Sequence, residues 1–101
     1  MTPEGAILRL IQDWLTAKSI LHFRMQTGAL PVGKRFVRFG TPGCADLLAF
    51  PVGQVTWIEC KTPTGRQSEL QKSFQVLVER HGHRYLLARS LDDVIASFRT
   101  P

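Results

Sequence analysis

The chain is poor in cysteine, in acid and in long apolar runs. Of its 101 residues only Cys44 and Cys60 are cysteine, too few for a disulfide scaffold and without the CxxC spacing of a zinc site. Small buried thiols are the ordinary reading of such a pair. No apolar stretch approaches the ~20 residues of a membrane span. Met1-Thr2-Pro3-Glu4 has neither the basic nor the apolar part of a signal peptide, so the cytosol is the expected compartment. Internal repeats, low-complexity runs and an interdomain linker are also missing, and residues 1–101 are expected to form one domain with a modest core.

Acid is the scarcer charge. Eight Asp and Glu stand against thirteen Lys and Arg, a net charge of +5, and nine of the thirteen cations are Arg. Forked guanidinium groups suit phosphate, so the balance admits a polyanionic partner. It does not require one, because many small cytosolic proteins are basic.

Thr2-Pro3-Glu4 has the form of a helix start: a capping Thr, Pro at the first helical position and an acid in the first turn. Leu8, Ile11 and Leu15 recur at helical spacing, widened by Ile7, Leu10 and Trp14. Glu4 begins that buried face, either as a helix-dipole carboxylate or as part of a site. Ile20 to Met25 alternates as a strand, Gln26-Thr27-Gly28-Ala29 is expected to turn the chain, and Gly33 to Phe39 is a second strand. There Lys34, Arg35 and Arg38 lie among aromatics, a pattern that tracks phosphate or protects an edge strand. Gly40-Thr41-Pro42-Gly43 is a loop whose glycines permit close approach to a ligand or a neighbouring strand. Further on, Ser68-Glu69-Leu70-Gln71 matches a capping box. Leu70, Phe74, Leu77, Val78 and His81 follow at helical spacing, and Gly82 ends that helix. Arg84 to Ala88 reads as a strand, and Leu91, Val94, Ile95 and Phe98 mark a last helix.

Between these lies the informative stretch. Asp46, Leu48 and Phe50 share one face of a strand; after a turn at Pro51-Val52-Gly53-Gln54, Val55, Trp57, Glu59 and Lys61 share one face of the next. A turn of two or four residues sets Phe50 across from Val55 and Asp46 across from Glu59, whereas an odd loop sends the two carboxylates to opposite faces. Like charges face to face weaken a strand pair, so folding alone does not recommend them. A divalent cation between them supplies the reason.

These residues give the chain a resemblance to the VRR-Nuc (virus-type replication-repair nuclease) domains of the PD-(D/E)xK, restriction-endonuclease-like superfamily. The likeness runs over essentially the whole chain: the early helix with Glu4, the Gln26 to Ala29 segment, and Gly43-Cys44-Ala45-Asp46 in place of a G-x-P-D motif. Ile58-Glu59-Cys60-Lys61 stands for the I-E-x-K strand, and Gly65-Arg66-Gln67-Ser68 leads to Gln71 on the following helix. Ala45 departs from the usual Pro, which bears on the stiffness of the loop more than on chemistry. The resemblance implies an α/β fold with a restriction-endonuclease-like core, a mixed β-sheet flanked by helices, in the order α-β-β-β-β-α-β-α.

It also implies a metal-dependent DNA endonuclease. Asp46 and Glu59 are expected to bind Mg²⁺ or Mn²⁺, hard cations that take oxygen ligands. The backbone carbonyl of Cys60 joins them, and Glu4 comes in through water or at a second ion. Lys61, charged beside two carboxylates, would orient the attacking water or balance developing charge. Gln71 would hold Lys61 or a phosphate oxygen, or serve only the Ser68 capping bond; Gln26 ranks below it. Arg66, before a helix N-terminus, is a phosphate-contact candidate, with Arg24, Lys34, Arg35, Arg38 and Lys72 as a looser group. Trp57 is expected to pack beneath the first helix, and His22, His81 and His83 are expected to play structural parts. Relatives of this type act as homodimers on branched DNA, four-way junctions above all, in bacterial or phage-infected cytoplasm, with no small-molecule cofactor. A flap, nick or duplex nuclease, a non-catalytic DNA-binding module and a subunit of a larger assembly are the alternatives.

Overall fold

The computed structural model describes residues 1–26 and 28–99, without the side chains of 28–30 and 37–39. Thr27 of the expected turn and the side chain of Arg38 therefore lie outside the described residues. Helix α1 spans Pro3–Ala17, followed by strands β1 (Leu21–Arg24), β2 (Gly28–Val32), β3 (Arg35–Phe39), β4 (Leu47–Phe50) and β5 (Thr56–Cys60). Helix α2 (Glu69–Arg80), strand β6 (Arg84–Ala88) and helix α3 (Leu91–Arg99) complete the order. No helix among the described residues is long and apolar enough to cross a membrane.

The helix starts follow their sequences. The Thr2 hydroxyl accepts from the Gly5 N–H at 3.0 Å with Pro3 at the first helical position, relieving one of the unpaired amides of α1. Ser68 and Gln71 form the reciprocal capping box of α2. A second reciprocal pair opens α3, where the Asp93 carboxylate accepts from the Arg89 N–H at 2.8 Å and Ser90 Oγ accepts from the Asp93 N–H at 3.3 Å.

Strands β1, β4, β5 and β6 form one mixed sheet in that order, antiparallel except for the parallel β5–β6 pair. A parallel neighbour needs a crossover, and α2 supplies it. Leu47, Ala49, Ile58, Cys60 and Ala88 are buried on one face with Ile11 and Leu15 of α1 and Val94 of α3. On the other face Trp57 meets Phe74 of α2 edge-on, with ring centroids 5.0 Å apart, and Phe74 reaches Tyr85 of β6. Helices thus cover both faces, as a sheet with a parallel pair requires, here the pair at its β6 edge.

Four expectations change in detail. The chain expected to turn at Gln26–Ala29 begins β2 at Gly28, which pairs with β3 from Gly28↔Phe39 to Val32↔Arg35 as a separate hairpin. Gly28 and Pro31 hide this strand from β-propensity, yet a two-strand hairpin standing off the sheet tolerates both. Gly33 and Lys34 form its tip rather than the start of a strand; Gly33 has φ +63, as a two-residue hairpin turn demands. Trp57 packs beneath α2 instead of α1, because strand alternation puts it opposite Ile58. In α1, Leu10 is exposed, and in α2 Leu70 and Leu77 are exposed while Val78 is buried. The inward side of α2 is Gln71, Phe74, Gln75 and Val78, a partly polar face that a search for apolar spacing passes over.

Candidate functional site

The observed ladder pairs Leu47↔Ile58, Leu48↔Trp57 and Ala49↔Thr56, and its continuation sets Asp46 across from Glu59. The four-residue turn keeps the even count, so both carboxylates emerge on one side. Glu4 arrives at the same end of the strands from the first turn of α1. A carboxylate oxygen from each of Glu4, Asp46 and Glu59 lies within 4.8 Å of the other two.

Each acid is held differently. Asp46 Oδ2 accepts from the Cys60 N–H at 2.7 Å, a side chain finishing the strand pair where the ladder ends. Arg24 lies along Asp46: its Nη1 donates to the Asp46 carbonyl at 3.2 Å, approaches Oδ1 at 3.7 Å and also donates to the Met25 carbonyl. The Met25 N–H completes this frame by donating to the Asp46 carbonyl at 2.8 Å. Arg24, counted among phosphate contacts by sequence, is therefore already engaged with an acid.

Glu59 is only 1% exposed. Its Oε2 accepts from Gln71 Nε2 at 3.0 Å and lies 3.9 Å from the Lys61 ammonium. Its Oε1 is buried with no protein partner. Burial and then the charge of the nearby Asp46 raise the Glu59 carboxyl to about 8, with Lys61 opposing and the charge of Glu4 adding to the rise. A buried acid that holds a proton among other acids, with one oxygen unpaired, has the donor set a hard cation would take: three carboxylates and no soft ligand. The residues fit Mg²⁺ or Mn²⁺. The Cys60 side chain is buried in the opposite, apolar layer, and its thiol is pushed up to about 12 by burial and then by Asp46 and Glu59. The Cys60 side chain therefore faces away from the acids.

Gln71 resolves two readings into one. Its Oε1 accepts from the Ser68 N–H at 2.8 Å while its Nε2 donates to Glu59. The capping bond needs an acceptor, which fixes the amide orientation and points the NH₂ at the carboxylate. Gln71 thus contacts Glu59 rather than Lys61. The loop before Asp46 is pressed onto the same helix turn: a Cβ on Gly43, at φ +81, would fall 2.4 Å from the Leu70 carbonyl oxygen. The Gly43 approach is to helix backbone. Arg89 escaped the sequence reading. Its Nη1 donates to the Thr62 and Gly65 carbonyls, both at 2.7 Å, tying down the loop between Lys61 and α2; an Arg at a strand end carries no sequence signal of such a latch.

The other cations spread out. Arg66 and Lys72 are exposed beside α2, with Lys72 3.3 Å from Glu69. Lys34 and Arg35 are exposed at the hairpin tip. Gln26 is exposed, and no contact joins it to the acids. His22 Nδ1 lies 2.8 Å from the Ile20 carbonyl and His81 Nδ1 2.8 Å from the Leu77 carbonyl, both local backbone contacts.

One solved structure, described as a VRR_NUC domain, superposes with a TM-score of 0.70, covering 97% of this chain and 99% of that chain at 19% sequence identity. The chain has the VRR-Nuc fold. No family model matches it, and no curated protein matches it. Within the VRR-Nuc fold, the acids, Lys61 and Gln71 converge from α1, the loop before β4, the end of β5 and α2.

Proposed function

We propose that residues 1–101 act as one domain, a metal-dependent endodeoxyribonuclease that hydrolyses DNA phosphodiesters. The observation that carries this reading is the unpartnered Glu59 Oε1, buried among two further carboxylates beside an ammonium. A DNA-binding surface gains nothing from acids turned toward phosphate, and a cation accounts for them.

Asp46 and Glu59 would hold Mg²⁺ or Mn²⁺ with the Cys60 carbonyl, and Glu4 would join through water or a second ion. Such a cation, when bound, supplies charge relief to the phosphoryl oxygens and acidifies a water. The chain's own residues do the rest. Arg24 and the Cys60 N–H keep Asp46 in place, and Gln71 keeps Glu59 in place. Lys61 orients the attacking water and balances charge on the phosphorane-like transition state. As the water oxygen bonds to phosphorus the P–O bond to the leaving sugar breaks, leaving a phosphate monoester and a hydroxyl. Arg66, Lys72, Lys34, Arg35 and Arg38 are the proposed backbone contacts.

The preferred substrate is proposed to be branched DNA such as a four-way junction, cut by a homodimer whose two sites nick in pairs. Val32 and Phe36 on the hairpin and Leu21 and Phe23 on the edge strand are exposed and are the surfaces on which a second copy would pack. The setting is bacterial or phage-infected cytoplasm. Purified protein with Mg²⁺ or Mn²⁺ should cut four-way junctions in preference to linear duplex. Glu59→Ala and Lys61→Ala should lose cutting by about a thousandfold while still shifting junction DNA in a gel. Equal cutting by both variants, or none by the intact chain with either metal, sinks the reading.

A further inference from the structure

At the end of the strands opposite the acids lies a cavity of about 1010 Å³, at the upper limit of the roughly 300–1,000 Å³ typical of ligand pockets. From Glu59 back to Gln54 the distance along β5 is roughly 17 Å, so this cavity is separate from the acid cluster. Its wall is the edge-on pair of Trp14 from α1 and Phe98 from α3, ring centroids 5.9 Å apart. The charged residues lining it are Lys18, Arg84 and Arg99; none of the described lining residues is acidic. Arg84 is pre-set, its guanidinium 5.7 Å from the Phe98 ring centroid and its Nη2 donating to the Ser97 carbonyl at 3.2 Å. A second hollow of about 450 Å³ lies across the β4–β5 turn, and Pro51, Gly53 and Gln54 line both.

We infer that this cavity takes an unpaired nucleotide of the DNA strand, its base against Trp14 and Phe98 and its phosphates on Lys18, Arg84 and Arg99. An aromatic wall with three cations complements a flat apolar body that carries negative charge, and nucleic-acid bases stack on aromatic side chains irrespective of sequence. A base held in a duplex cannot enter a hollow; a base in a single-stranded stretch or at a branch point can. The second hollow gives the strand a continuous path past the turn. The inference rests on the proposed action on DNA and adds that a base left single-stranded, or opened at a branch point, is held at the far end of the strands from the cut.

The test uses fluorescence of Trp14. Trp57→Phe leaves Trp14 as the remaining tryptophan of the chain's two, and adding Glu59→Gln with EDTA prevents cleavage. A single-stranded oligothymidylate should change the emission saturably and bind at least tenfold more tightly than a blunt duplex of the same length or thymidine monophosphate. Lys18→Gln with Arg99→Gln, both exposed positions, should weaken the oligomer about tenfold and flatten the slope of log affinity against log salt by roughly 0.7 per cation removed. Unchanged affinity in that double variant overturns the inference. So does equal response to duplex, or monophosphate binding as tight as the oligomer. Junction cutting by the otherwise native chain is measured alongside, so that loss of this site and loss of nuclease activity are read separately.

Discussion

With one donor, one orphan oxygen and two acid neighbours, the Glu59 carboxyl keeps its proton well above the range of a free acid, to about 8 against a usual 4.5. A carboxyl whose pKa is higher folded than unfolded stabilises the fold fully below its unfolded value, and that contribution is lost as pH rises through the folded value. Metal-free protein should therefore melt at progressively lower temperature as pH climbs from about 4.5 to about 8. Mn²⁺ should restore the melting temperature most strongly at the alkaline end, where no proton competes for the carboxylate. Glu59→Gln should flatten this pH dependence, stabilise the metal-free chain near pH 8 and abolish the metal-induced rise in melting temperature. A thermal melt series with and without metal checks all three. A metal-free stability that climbs over the same window would contradict the assignment.

Among elements, α2 ties the site together, because one amide serves both its start and the acid. Gln71→Glu preserves a capping-box residue at the third helical position but points a carboxylate at Glu59, while Gln71→Ala removes both bonds. The Ala variant should lose about 1 kcal/mol of stability. In the Glu variant without metal the loss should grow with pH, an outcome read from urea melts at two pH values. Gly43 is the other constraint on this junction. Gly43→Ala places a methyl group against helix backbone at a left-handed φ and should cost about 2 kcal/mol or more, roughly a 10 °C fall in Tm for a chain of this size. Sequence revealed the caps of α1 and α2 and the strand parity that brings Asp46 to Glu59, since each is a local pattern with a fixed period or spacing, whereas the place of Glu4 near them was implied by the family resemblance. It did not reveal β2, whose Gly and Pro defeat propensity, or the inward face of α2, where Gln71 donates to Glu59 and Gln75 accepts from Gln67, which also donates to Tyr85. Nor did it reveal Arg24 and Arg89, which bond to backbone carbonyls distant in sequence and carry no spacing signal.

On the scale of the whole molecule the chain is elongated, with principal extents of 51 × 33 × 27 Å, and the β2–β3 hairpin stands apart from the main sheet. Its exposed tip offers Lys34 and Arg35 to trypsin. A nick there divides the molecule at a telling place: residues 1–34 keep Glu4 and Arg24, and residues 35–101 keep Asp46, Glu59, Lys61 and Gln71. Produced separately, the two pieces should be silent toward DNA and regain cutting when mixed, as read by junction cleavage against the ratio of the halves. On the proposed nuclease activity, the protein carries a ready seam for a split reporter, in which two inert polypeptides brought together by other fused partners would announce their meeting by severing DNA.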